Sequence, residues 1–289
     1  PTATVNAINN QAVCNGAAVS AVNFATTATG GTVTYAWTNS NSSIGIAASG
    51  TGNIASFNAI NNSNVPVTAT ITVTPTFTNG GVSCTGTAQS FTVTVNPTAV
   101  VNAVSSQTVC AGSSNSAVTF SSPVAGTTYS WTNSNPSIGL AASGTGNIPS
   151  FVAVNPSPNA INATITVTPN TAAGCIGQAI TYTITVNGLS VAPTAIINST
   201  PIVCANNAFT TLNVNGGALG TGAVWKWYAD SLNTVSIGSG ATLSNIPVAK
   251  TTTYFVRAEG TCNNTAAASV VVQRANLVSH VRQHWSDVL

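Results

Sequence analysis

WTNSNPSIGLAASGTGNIPSF, at residues 131–151, has a near-copy in the same chain: WTNSNSSIGIAASGTGNIASF stands at residues 37–57, and 18 of the 21 positions are identical. The likeness extends to both sides. PTATVNAI at residue 1 is answered by PTAVVNAV at residue 97, Cys14 by Cys110, ATITVTP at 69–75 by the same letters at 163–169, and Cys84 by Cys175. The offset shrinks only across loops, from 96 to 94 and then to 91 where PTFTNGGVSC becomes PNTAAGC. A repeat of this length is one structural unit written twice, which predicts modules at 1–96 and 97–189.

Within each copy the apolar residues alternate with period two. FTVTV at 91–95 puts Phe91, Val93 and Val95 on one face and threonines on the other, and YTITV at 182–186 does the same. Short alternating runs separated by Gly, Asn and Pro turns, with no helical period between them, predict an antiparallel β-sandwich for each module. Residues 190–274 read as a third sandwich of different sequence but similar order, with Cys204, then Trp225 and Trp227, then Cys262, and strands WKWYA, TTTYFVRAE and ASVVVQ. The fold class is therefore all-β. Only the tail 275–289 breaks the style, since Leu277, Val281, Trp285 and Val288 recur near helical spacing.

Charge is almost missing. Asp, Glu, Lys and Arg make up 3% of the chain, against roughly 25% in an ordinary globular domain. Residues 1–225 contain none of them and no His. General acid/base catalysis needs a positioned titratable group, and hard cations need carboxylates. Catalysis and calcium sites are thus not expected in the first two modules, nor is any enzymatic activity, cofactor or metal elsewhere. The formal net charge of +2 forms no basic stripe, so no nucleic-acid partner is expected. No window approaches the 18 or more apolar residues of a membrane-spanning helix. The chain starts without Met and carries no signal peptide, which reads as a processed or excised piece.

Six cysteines fall two to a module, 70, 65 and 58 residues apart. The parsimonious connectivity among the 15 possible is one bond per module, Cys14 with Cys84, Cys110 with Cys175 and Cys204 with Cys262. Disulfides imply an oxidising compartment. Trp37, Trp131 and Trp227 lie between the cysteines of their modules and are expected in the cores, with Trp225 sharing the face of Trp227. GTGN at 50–53 and 144–147 lacks the lysine and the βαβ setting of a phosphate loop and reads as a tight turn. Rows of TxTxT read as solvent-facing β-formers. His280 and His284, at i and i+4, have no third metal ligand placed beside them. The N-x-S/T triplets at Asn41, Asn61, Asn162, Asn198 and Asn263 arise by chance in so Asn- and Thr-rich a chain.

TYSWTNSNPSIGLAASGTGNIPSF, followed by ATITVTP, a second Cys and YTITVNG, resembles the PKD-like repeats of very large secreted proteins of Bacteroidota. The segments VCANNAFTTLNV, WKWYADS, TTTYFVRAEGTC and SVVVQ resemble the Ig-like module that accompanies those repeats. The resemblance implies an extracellular, cell-surface role in adhesion, gliding or filament-like display after export by the type IX route. It implies neighbouring modules or copies of the same chain as partners, with surface glycans as a further class. Asp230-Ser231-Leu232 resembles the short O-glycosylation triplet of the same organisms, at Ser231. The alternative is a set of carbohydrate-binding modules on a secreted polysaccharide-degrading protein. Because residues 1–189 lack ionisable side chains apart from tyrosine and cysteine, their stability is expected to be nearly flat between about pH 3 and pH 8.

Overall fold

The computed structural model describes residues 2–204 and 208–275; the 275–289 tail beyond Ala275, with His280 and His284, lies outside the described residues. Three apolar cores succeed one another along the chain: Val5 to Val95, Val101 to Val186, and Ile196 to Val272. The protein is all-β, with two 3-10 turns, Ser42–Ile44 and Pro136–Ile138, as its only helical elements among the described residues.

In the first unit the main sheet runs in the order Gln11–Cys14, Gln89–Asn96, Val67–Asn79, Thr32–Asn39, Ser49–Thr51. The second unit repeats it as Gln107–Cys110, Ile180–Asn187, Ile161–Asn170, Thr128–Asn133, Ser143–Thr145. The third keeps the same order despite its different sequence: Ile202–Cys204, Ala268–Ala275, Thr252–Glu259, Val224–Tyr228, Ser236–Ser239. Every pairing in these sheets is antiparallel except one per unit. The strand that ends in the first cysteine runs parallel to the unit's last strand, setting Cys14 opposite Asn96, Cys110 opposite Asn187 and Cys204 opposite Ala275.

The copied stretch builds the centre of each sandwich. Trp37 is opposite Val73 on one side and Gly50 on the other; Trp131 is opposite Val167 and Gly144. Both tryptophans are buried, at 8% and 6% exposure. A Cβ on Gly50 would stand 2.2 Å from the Trp37 ring, and one on Gly144 would stand 2.3 Å from the Trp131 ring. The first glycine of GTGN is therefore the seat of the indole. The second, Gly52 or Gly146, has φ of +69°, which favours glycine. The asparagine then accepts a hydrogen bond from the backbone N–H of Phe24 or Phe120 at 2.9 Å. Trp227, fully buried, occupies the same place in the third unit, opposite Val256 and Gly238. Trp225 is buried as well.

Side-chain amides do what charges do elsewhere. Buried Asn39 donates to the carbonyls of Asn41 and Ala47 and accepts from the N–H of Asn41; buried Asn133 closes the equivalent loop through Leu140 and Asn135. Buried Asn61 donates to Val65 and Val95, and buried Asn155 to Asn159 and Val186. A buried amide that meets its partners removes the penalty of leaving loop carbonyls dry. Asn61 and Asn41 head two of the N-x-S/T triplets, and their side chains are used internally, Asn41 accepting from the Ser43 N–H.

The two copies also differ informatively. Phe91 of the first unit is replaced by Tyr182, whose hydroxyl is buried with no hydrogen-bond partner among the described residues. Burial pushes its pKa up to about 12. An unpaired buried hydroxyl costs about 1–3 kcal/mol, and the first unit shows that phenylalanine fits. Tyr182→Phe should raise stability by about 1 kcal/mol at neutral pH. It should also remove a loss that begins as pH rises past the free phenol value near 10, because only the unfolded state then ionises. Denaturant titrations at pH 7 and pH 11 measure both, and a Tyr182→Phe chain less stable than the parent at pH 7 would contradict this account.

Candidate functional site at the unit junctions

Four cysteines are paired, and each pair crosses a junction. Cys14 of the first unit bonds Cys175 of the second, with Cα atoms 5.5 Å apart, and Cys110 of the second bonds Cys262 of the third, at 5.4 Å. Cys84 and Cys204 are free and exposed. This corrects the expected pairs Cys14 with Cys84, Cys110 with Cys175 and Cys204 with Cys262. The reason lies in strand geometry. The first cysteine is level with the end of the unit's last strand, whereas the second lies on the hairpin before that strand begins. Strand Gln89–Asn96 has 8 residues, about 25 Å at the usual rise per residue. A disulfide tolerates a Cα separation of roughly 4.4–6.8 Å, so the two cysteines of one sandwich sit at opposite poles and cannot meet.

The hairpin cysteine marks the pole where the chain comes in. Gly86, two residues after Cys84, and Gly177, two residues after Cys175, donate equivalent hydrogen bonds to Pro75 and Pro169. A Cβ on either would collide with the carbonyl of Ala3 or Ala99 at the start of its unit. In the third unit Asn263, next to Cys262, accepts from the Ser190 N–H and donates back to the Ser190 carbonyl. The edge-strand cysteine marks the pole where the chain leaves. Asn15 donates to the Asn96 carbonyl and Ala111 to that of Asn187, at 2.9 and 3.0 Å.

Around Cys175 the turn is tight, with Thr171 and Cys175 buried at its base and Ala172 to Gly174 exposed. Thr171 Oγ1 accepts from the Cys175 N–H at 3.0 Å, and Gly174 donates to the Thr171 carbonyl. Beside it Val65 and Pro66 of the first unit face Val124, Ala125, Ala172 and Ala173 of the second, with Pro97 at the boundary, across a small apolar recess of about 180 Å³. At the other junction Gly188 donates to Thr221 Oγ1, which itself donates to the Pro158 carbonyl. Among the described residues, no charged side chain contributes to these junction contacts.

The described charges collect on the third unit. Glu259 accepts from Arg257 Nε at 2.7 Å and from the Tyr228 hydroxyl, and pairs with Lys226 at 3.3 Å. The Arg257 guanidinium lies over the Tyr228 ring. Burial works to raise the Glu259 pKa, but the hydrogen bonds from Tyr228, Arg257 and Lys226 outweigh it and hold the carboxyl below its usual range. The Asp230 carboxylate is likewise held low, first by the Val235 N–H and then by the Thr234 N–H. It closes an exposed turn that presents Ser231 and Leu232 to solvent. Among the described residues no three His, Cys, Asp or Glu side chains are grouped as metal ligands. A shallow groove beside Tyr129 and Thr145, about 480 Å³, recurs beside Tyr35 and Thr51 at about 430 Å³; no charged residue lines either. Among the described residues no helix is long and apolar enough to cross a membrane.

The PKD-like domain family matches residues 107–189, and the family described as Ig-like domain, CHU_C associated, matches residues 191–274. Residues 107–189 carry a PKD-like domain and residues 191–274 an Ig-like domain. The unmatched first unit carries the PKD-like strand order and near-copied centre of the second. Among solved structures, Drosophila OTK extracellular domains 3–5 are similar over 95% of this chain and 97% of that one, at 11% identity and TM-score 0.39. The N-terminal four Ig domains of Dscam1 isoform 1.9 are similar over 95% and 73%, at 11% identity and TM-score 0.35. No curated protein matches the chain.

Two outcomes are expected for these PKD-like and Ig-like domains. Non-reducing peptide mapping should recover Cys14–Cys175 and Cys110–Cys262, and Cys14→Ser should lower unfolding stability by about 2–5 kcal/mol; recovery of a bond within one unit instead would refute the staggered connectivity. Both Glu259 and Asp230 have lowered pKa values, so they contribute stability above the unfolded carboxylate range near 4 that is lost as pH falls through their folded values. Acid sensitivity should therefore appear in the third unit and not in residues 2–189. Hydrogen exchange resolved by peptide between pH 3 and pH 7 checks this, and Glu259→Gln should cost on the order of 1–2 kcal/mol at pH 7.

Proposed function

We propose that the chain is a load-bearing segment of an extracellular structural or adhesive array, with three modules divided near residues 96 and 189. One observation carries this reading: each junction is crossed by a disulfide tying the trailing pole of one unit to the leading pole of the next. A bond inside a sandwich would strengthen that sandwich, whereas a bond across a junction joins the units to one another. Disulfides persist in oxidising surroundings, which supports an extracellular location. The near-copied units, which add length and repeated surface rather than chemistry, support a non-enzymatic role. Neighbouring modules and further copies are the partners; export by the type IX route in a Bacteroidota cell and O-glycosylation at the exposed Ser231 belong to the same reading. The carbohydrate-binding alternative calls for exposed coplanar aromatics, and Trp37, Trp131, Trp225 and Trp227 are buried.

Stretching the chain between its ends tests the proposal. The shortest covalent path runs along residues 1–14, crosses to Cys175, returns to Cys110, crosses to Cys262 and leaves through 262–289. At roughly 3.3–3.6 Å per extended residue, the oxidised chain should extend to well under half the length reached after reduction. Single-molecule force spectroscopy with and without reductant reads this directly. Equal final lengths in the two states would sink the load-bearing role.

A further inference from the structure

Cys84 and Cys204 are not loose ends of chemistry, because each has structural equivalents that are bonded. Cys84 stands two residues before Gly86 on the leading hairpin of the first unit. Cys175, two residues before Gly177 on the leading hairpin of the second, bonds the edge-strand cysteine of the unit before it. Cys204 ends the edge strand of the third unit, opposite Ala275. Cys14 and Cys110 end the same strand in the first and second units, opposite Asn96 and Asn187, and each bonds the hairpin cysteine of the unit that follows. The rule holds at both junctions: edge-strand cysteine to the next hairpin cysteine. Applied to the two free thiols, it makes an edge-strand cysteine the complement of Cys84 and a hairpin cysteine the complement of Cys204. Both thiols are exposed, and every residue of the Cys84 strand Val82–Thr85 is exposed too, Val82 at 67%.

We propose that Cys204 of one copy of the chain bonds Cys84 of a second copy, joining copies head to tail through a third junction built like the two internal ones. A second copy supplies both complements, because the same chain carries a free hairpin thiol on its first unit and a free edge-strand thiol on its third. The proposal deepens the array reading and rests on it. Chemically, the two thiols lose two protons and two electrons to a disulfide oxidant. With glutathione disulfide, one thiolate displaces glutathione to form a mixed disulfide. The other then attacks the protein sulfur, releasing a second glutathione and leaving the Cys204–Cys84 bond.

The test uses the full chain with its two internal disulfides formed and Cys84 and Cys204 free, incubated in a glutathione redox buffer. The wild-type chain should give a ladder of covalent oligomers on a non-reducing gel, with a Cys84–Cys204 peptide between copies found by mass spectrometry. Cys84→Ser and Cys204→Ser chains, both conservative changes at exposed sites, should each fail to form the ladder. Mixed together they should give a dimer through Cys204 of the first and Cys84 of the second, at least tenfold faster than either chain dimerises with itself. Symmetric Cys84–Cys84 or Cys204–Cys204 links at comparable rates, a Cys84–Cys204 link within one copy, or monomers carrying only glutathione would overturn the proposal. Any of these with Cys14–Cys175 and Cys110–Cys262 still mapped would leave the array reading standing, whereas loss of those two bonds from the map would remove the basis of both.

Discussion

The parallel pairing of the first edge strand with the last strand is the constraint on which the connectivity depends. It carries the leading cysteine of each unit to the pole where the chain departs, level with Asn96, Asn187 or Ala275. The hairpin between the last strand and the one before it necessarily points to the other pole, where the chain arrives. With the cysteines a full strand length apart, each can only look outward, toward a neighbour. A sandwich whose two cysteines faced each other across its core would have been a closed unit. Here each unit offers one sulfur forward and one backward.

The same arrangement explains how a chain so poor in charge can hold its loops. Long polar loops usually rely on ion pairs and solvated carboxylates, but here Asn39, Asn61 and their copies Asn133 and Asn155 turn inward and satisfy several backbone groups each. An amide has two donors and an acceptor in a compact, uncharged frame, so it can be buried without the desolvation cost of a charge. Cross-strand hydroxyl pairs such as Thr68 with Thr94 and Thr72 with Ser90, both at 3.0 Å, face outward instead. On the third unit Lys226 and Arg257 share the Glu259 carboxylate on a single sheet face.

Much of the fold was legible because period-two alternation is a local signal. Phe91, Val93 and Val95, or Tyr182, Ile184 and Val186, announce a buried face without reference to anything distant. The tryptophans were legible for the same reason, as large apolar residues in the middle of alternating strands. The disulfides were not, because connectivity depends on which pole each cysteine occupies, and that is set by a parallel pairing between strands some 80 residues apart in sequence. One cue did exist. In the first two units the leading cysteine follows an edge strand and is itself followed by Asn-Gly or Ala-Gly with the glycine at φ of +80° or +81°, marking a turn at the end of the sandwich and not a site in its middle. The role of GTGN also needed three dimensions, since nothing in its letters says that the first glycine must lie under an indole.

The near-identity of residues 37–57 and 131–151 then has a physical account. Trp, Asn, Asn, Ile, the first Gly of GTGN and the Asn after it each have an internal partner, and the second Gly holds a positive φ. The three differences, Ser42 against Pro136, Ile46 against Leu140 and Ala55 against Pro149, keep size or fall in turns. A staggered disulfide adds a further demand, because a junction closes only if two poles bring their cysteine Cα atoms to roughly 4.4–6.8 Å. Any drift in one sandwich would move its forward and its backward sulfur together and spoil two junctions at once. The third unit shows what may vary: its sequence departs, yet it retains Trp227 between Val256 and Gly238 and a hairpin that carries Cys262 to its leading pole. What repeats along this chain is the strand order and the length of each unit's last strand, eight residues in all three, which holds the two cysteines of every unit at opposite poles.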